Sequence, residues 1–190
     1  MNVLVTGGAG YIGSHMIKYL VKKNCTVTVI DNLSTGNQNA VKSSSFIQGD
    51  LADQELLEEV FSKARYDAVF HFAAFSQVGE SVRNPLKYFR NNISNTINLL
   101  NIMEEANVHH LVYSSSAAVY GNPVKDSISE SDPLNPVNPY GLSKMVVEKI
   151  IGDWSSVCGV RVACFRYFNA AGADLDGVSV SYTHLTLPTS

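Results

Sequence analysis

Tyr140 and Lys144 stand four residues apart, directly after Pro139. On a helix such a pair shares one face, one turn apart. A free tyrosine has a pKa of about 10 and is a poor base at neutral pH. A neighbouring ammonium favours its phenolate, which makes Tyr140 a candidate acid/base. A surface lysine beside a tyrosine at a helix start has the same spelling. Ser114, Ser115 and Ser116 end an apolar run, and Ser116 precedes Tyr140 by 24 residues. At the C-terminal edge of an open parallel sheet such hydroxyls face a ligand crevice. Elsewhere they are an ordinary polar strand end.

Residues 7–13 read GGAGYIG and contain G-x-x-G-x-x-G, formed by Gly7, Gly10 and Gly13. Glycines there let backbone approach a pyrophosphate, whose charge the following helix N-terminus stabilises. A merely tight strand-to-helix turn is the alternative. Asp31 decides between them. It ends a β-branched run 18 residues after Gly13, near the spacing of about 20 for a ribose-binding acid. Its carboxylate can accept from both ribose hydroxyls and repels a 2′-phosphate. Asn32 follows rather than Arg, which favours NAD over NADP.

These groups need a scaffold. Asn2–Thr6, Thr26–Asp31, Ser45–Gln48, Ala68–Phe72, His110–Ser115 and Val160–Tyr167 read as strands. Helical spacing predicts helices over Tyr11–Lys23, over Gln54–Lys63 with Asp53 as N-cap, from Pro85 to about Ala106, and from Pro139 to about Val157. Gly121–Asn138 reads as loop. Alternating strands and helices predict an α/β, doubly wound parallel sheet of the Rossmann type. Leu86, Phe89, Ile93, Ile97, Leu100 and Met103 form an apolar stripe expected in the core. His71, inside an apolar strand, is expected to be a satisfied core histidine, and His109-His110 to lie on the surface.

The chain has 190 residues, 45% hydrophobic and 16% charged, with a net charge of −3. That composition excludes a disordered chain, and its acidic balance argues against nucleic acid as a partner. No apolar run approaches the roughly 18 residues of a membrane span. Cys25, Cys158 and Cys164 show neither metal-ligand spacing nor a disulfide framework. A soluble, reduced, cytoplasmic protein without a metal is expected.

The glycine turn, Asp31–Gly36, Asp50-Leu51, Ser114–Gly121, Tyr140-x-x-x-Lys144 and Arg166–Asn169 occur in this order. Together they resemble an extended short-chain dehydrogenase/reductase, and within that superfamily the UDP-glucose 4-epimerase family. A related dehydratase is expected to carry Thr-Asp-Glu at Ser116-Ala117-Ala118. The resemblance implies that Gly7, Gly10, Tyr11, Ile12 and Gly13 hold the pyrophosphate of NAD. It implies that Asp31, Asn32, Leu33, Ser34, Thr35 and Gly36 surround the adenosine ribose, and that Asp50 and Leu51 flank the adenine. Phe72, Ala73, Ala74, Phe75, Ser76, Asn91 and Phe168 are implied to line the nicotinamide half. Many epimerases carry Lys where this chain has Ser76, which weakens a side-chain contact there.

The implied reaction interconverts UDP-glucose and UDP-galactose. Tyr140 takes the 4-hydroxyl proton while hydride passes to tightly bound NAD. Lys144 binds the nicotinamide ribose, Ser116 hydrogen-bonds the reacting oxygen, and Asn169 touches the sugar nucleotide. Such enzymes are homodimers, with an interface that matches Pro85–Ala106 and Pro139–Val157 here. The same motifs suit an epimerase, dehydratase or decarboxylase on another sugar nucleotide, or a silent NAD-binding module.

After Asp176 no Asp, Glu, Lys or Arg occurs in fourteen residues. The resemblance covers about Met1–Gly177, so residues 1–177 are expected to form the NAD-binding domain. Residues 178–190 are expected to be a foreign or divergent tail where a C-terminal substrate domain would begin.

Overall fold

The computed structural model describes residues 1–41, 45–123, 125 and 127–173. The expected tail over 178–190 lies outside the described residues. Six parallel strands form one sheet: β1 (Asn2–Thr6), β2 (Thr26–Asp31), β3 (Ser45–Gln48), β4 (Ala68–His71), β5 (His110–Ser116) and β6 (Arg161–Tyr167). Their order is β3-β2-β1-β4-β5-β6, the expected doubly wound sheet. Successive connections run outward in opposite directions from the β1/β4 boundary, which opens a crevice at the C-terminal strand ends.

Side chains alternate across the strands, and both faces are apolar. Val3 and Val5 of β1 pack with Val27, Val29 and Ala68 against Ile17 and Leu20 of α1 (Tyr11–Lys22). Leu4, Ile30, Val69 and Leu111 face the other way. They meet α2 (Gln54–Lys63), α5 (Asn95–Glu105) and α6 (Pro139–Cys158) through Leu57, Leu99, Met103 and Val147. Farther out, the edge strand β6 leaves Ala163 and Phe165 exposed.

Local chemistry sets the helix ends. Asp53 caps α2 by accepting the Leu56 N–H at 3.0 Å. Asn138 caps α6 by accepting the Gly141 N–H at 2.8 Å, with Pro139 in the first turn. Such caps stabilise a helix by about 1 kcal/mol each. Gly159 ends α6 at φ +65°, where a Cβ is disfavoured.

Between β4 and β5 the chain departs from a single helix. A short helix α3 (Val78–Arg83) was not expected. It precedes α4 (Pro85–Phe89), a π-turn over Arg90–Ser94, and α5. The wider turn shifts the helical phase. The buried face is Tyr88, Asn92, Thr96, Leu99, Leu100 and Met103, while Leu86 and Ile97 of the expected core stripe are exposed. Polar Asn92 and Thr96 tolerate burial because both are hydrogen-bonded.

The Thr96 hydroxyl also reaches His71, only 2% exposed. Thr96 Oγ1 donates to the Asn92 carbonyl at 2.7 Å, so at 2.8 Å it accepts from His71 Nε2. Nδ1 then accepts from Thr6 Oγ1 at 2.6 Å. The ring is satisfied while neutral. Burial, and secondarily the Lys144 ammonium, lower its pKa from 6.5 to about 3. The unfolded chain therefore takes up this proton first. Stability present above pH 6.5 is lost as pH falls toward 3, at roughly 1.4 kcal/mol per pH unit. Thermal unfolding followed from about pH 7 to about pH 4 should show a shallower decline in His71→Asn than in wild type. Equal slopes would show that this histidine contributes nothing to acid lability.

Candidate active site

A cavity of about 670 Å³ runs along the C-terminal strand ends. It is lined by the glycine turn, Asp31, the segment after β4, the end of β5, the start of α6 and residues 167–171. Every site residue expected from the sequence lines it except Leu33 and Gly36. Those two shape the wall from behind. Leu33 adopts φ +58°, and its N–H donates to Asp31 Oδ1 at 2.8 Å. A Cβ on Gly36 would stand 2.8 Å from Ala9 Cβ, so glycine lets the 33–37 turn approach the glycine turn.

The three motif glycines have different reasons. Gly7 sits at φ +70°, and a Cβ there would lie 2.4 Å from the Ala73 backbone nitrogen. A Cβ on Gly13 would lie 2.3 Å from the Gly7 carbonyl oxygen. These two let backbone pack on backbone. Gly10 is open on the cavity side, its nearest neighbour being the Gly7 oxygen at 3.3 Å. It begins α1 without a side-chain cap, and no acid occupies the first turn. The N–H groups of that turn face the cavity wall formed by Gly10, Tyr11, Ile12 and Gly13, the geometry that receives a phosphate.

Asp31 is 8% exposed. Its Oδ2 accepts the Ala9 N–H at 2.9 Å, so it holds the glycine turn as well as the 33–37 turn. A carboxylate has about four acceptor sites, and the remaining ones suit a ribose diol. Asp50 accepts from Asn32 at 2.7 Å, the Ala52 N–H at 2.9 Å and Asn95 at 3.1 Å. It ties the ends of β2 and β3 to α5. A dinucleotide fits these residues: uncapped helix N–H groups for its phosphates, Asp31 for a ribose, and a continuous cavity to Tyr140.

At the other end, Tyr140, Lys144 and Ser116 come together. Lys144 is 3% exposed, donates to the Ser114 carbonyl at 2.7 Å, and stands 5.0 Å from the Tyr113 ring centroid. Burial lowers its pKa from 10.5 to about 8. Burial also raises Tyr140, while a hydrogen bond with Ser116 pulls it down. The lysine was expected to govern this phenol. Instead its ammonium hydrogen-bonds the strand, and desolvation dominates. The balance of burial and the Ser116 bond favours the neutral phenol.

Asn92 escaped sequence reasoning. Its amide pairs with both backbone groups of Phe75, accepting from N–H at 2.9 Å and donating to C=O at 3.0 Å. It also donates to Ser143 Oγ at 3.0 Å, on the same helix as Tyr140 and Lys144. One side chain thus fixes the segment after β4 against α6. The partners are 17 and 51 residues away, beyond any periodic signal. Among the described residues no cluster of three or more His, Cys, Asp or Glu could hold a metal, and no helix is long and apolar enough to cross a membrane.

The model of the NAD dependent epimerase/dehydratase family matches residues 3–186. The chain belongs to this family. It is 51% identical over 178 residues to UDP-glucose 4-epimerase of Lactobacillus helveticus, covering 93% of this chain and 54% of that protein. The crystal structure of UDP-glucose 4-epimerase from Brucella ovis in complex with NAD superposes with a TM-score of 0.90 at 46% identity, covering 93% of this chain and 54% of that one. The Bifidobacterium longum enzyme in complex with NAD+ and UDP gives a TM-score of 0.91 at 37% identity, covering 95% and 57%. The chain spans about half the length of the curated relatives it matches.

The glycine geometry separates packing from binding. Gly13→Ala should lower the denaturant midpoint by an amount worth about 2 kcal/mol or more, because rigid backbone meets the new methyl. Gly10→Ala should cost less than about 1 kcal/mol yet weaken NAD binding measured by calorimetry. Equal effects of the two on stability would contradict this division.

Proposed function

We propose that this chain carries the dinucleotide-binding and catalytic part of an enzyme that interconverts UDP-glucose and UDP-galactose through transient oxidation at C4. One observation carries the reading: Tyr140, Lys144 and Ser116 line the same cavity as the glycine turn and Asp31. The relatives named UDP-glucose 4-epimerase support the substrate.

Gly10, Tyr11, Ile12 and Gly13 hold the pyrophosphate, and Asp31 with Asn32, Ser34 and Thr35 holds the adenosine ribose. Leu33 and Gly36 keep that turn in place. Asp50 and Leu51 flank the adenine. Ala73, Ala74, Phe75, Ser76, Asn91 and Phe168 surround the far end, with Gly7 and Phe72 beneath. Bound NAD would supply the hydride acceptor, and later donor, for C4 of the sugar at the far end of the cavity. Tyr140 takes the proton from the 4-hydroxyl oxygen and gives it back when that oxygen is reduced. Ser116 donates a hydrogen bond to the same oxygen and keeps it in reach of Tyr140. Lys144 holds the neighbouring ribose and supplies positive charge beside the phenolate. Asn169, on the exposed segment after β6, contacts the sugar nucleotide.

A second copy of the chain is the partner in this reading. The helices over 85–105 and 139–158 expose Leu86, Ile97 and Leu142, which suits an apolar helix-to-helix interface. Free Cys25, Cys158 and Cys164 suit a reduced cytoplasmic setting.

The test is conversion of UDP-galactose to UDP-glucose by the protein. Tyr140→Phe in the active form should lower turnover by at least about 100-fold while NAD stays bound. Near-normal turnover in that variant would overturn the assignment of the base.

A further inference from the structure

Glu148 lies one turn beyond Lys144 and two beyond Tyr140 on α6. It has no part in the chemistry above, yet its side chain is only 10% exposed. Its carboxylate accepts from Ser115 Oγ of β5. Arg166 of β6 grips it with Nε at 3.1 and 3.2 Å and Nη2 at 2.7 Å. The other arm of Arg166 donates to Tyr120 Oη at 2.7 Å and to the Glu130 carbonyl at 3.1 Å. Its guanidinium also stands 5.0 Å from the Tyr120 ring centroid.

Three bonds therefore join α6 to the sheet in a fixed pattern. Lys144 holds the Ser114 carbonyl, Glu148 holds the Ser115 hydroxyl, and Arg166 closes the set from β6. Ser116, the next residue of β5, is placed against Tyr140 by that register. We propose that Glu148 is a positioning residue: it locks α6 to β5 and β6 and stands as the carboxylate one turn from Lys144.

The charge argument follows from the groups that face Lys144. Tyr140 and Glu148 face it from α6, Tyr113 from β5, Cys164 from β6 and His71 from β4. His71 is neutral, and burial first, then Glu148, push the Cys164 thiol up to about 12. Burial raises both phenols as well. Cys164 first and Glu148 second oppose the desolvation that lowers Lys144 to about 8, and of these two Glu148 is the carboxylate while the thiol is held protonated.

The inference rests on the proposed function only where it speaks of turnover, so its test does not depend on activity. The protonation midpoint of Lys144 is read by NMR of nitrogen-labelled lysine in the full-length protein. In Glu148→Gln the midpoint falls by roughly one pH unit, the low end for loss of a nearby opposite charge. In Glu148→Asp it stays near the wild-type value. Arg166→Gln frees the carboxylate of its partner and moves the midpoint up, which keeps the test open if Glu148→Gln does not fold. In an active enzyme the alkaline limb of kcat moves down with Glu148→Gln and returns in Glu148→Asp. A Lys144 midpoint unchanged in Glu148→Gln, or a fall in Arg166→Gln, overturns the proposal. Midpoints that move as stated in a protein without epimerase activity uphold it and count against the proposed function instead.

Discussion

A lysine ammonium taken almost fully out of water must find partners or lose its proton. Lys144 is in that position at 3% exposure, and much of the site follows from how it is satisfied. Its bond to the Ser114 carbonyl requires α6 to lie along the end of β5. That placement brings Tyr140 beside Ser116 and buries Ser143 against Asn92. Asn92 in turn fixes the Phe75 backbone, so the segment after β4 is placed by the same helix. One buried lysine thereby bears on where three separate segments meet.

The opposite end of the cavity relies on backbone contact. Gly7 and Gly13 remove side chains where β1, α1 and the segment after β4 converge. Asp31 reinforces this by holding the Ala9 and Leu33 N–H groups. Its burial is offset by two backbone N–H donors, with acceptor capacity to spare. Both ends of the cavity sit at the C-terminal strand edge because all six strands are parallel, so every turn that follows a strand opens on the same side.

The sheet was legible because its strands are short apolar runs between clear turn residues. The ends of β1, β2 and β3 agree with those read from the sequence. Helix starts were legible where Asp53, Pro85 and Pro139 mark them. The region 78–105 was not, because a π-turn changes the phase that periodicity relies on. There the buried face holds Asn92 and Thr96, residue types that a hydrophobic pattern passes over. The motif residues were legible as types and order, and nearly all of them line one cavity. The burial that raises the Tyr140 phenol was not legible from its four-residue spacing to Lys144. The Glu148–Arg166 pair joins residues 18 apart on a helix and a strand, a relation that spacing alone does not reveal.

In the proposed reaction the C4 hydrogen leaves the sugar as hydride and comes back without meeting solvent. Deuterium placed at C4 of UDP-galactose follows that hydrogen directly. UDP-glucose formed in ordinary water should then retain the deuterium at C4. Washout of the label into solvent would contradict oxidation at C4 and would assign the Tyr140 site to a different chemistry.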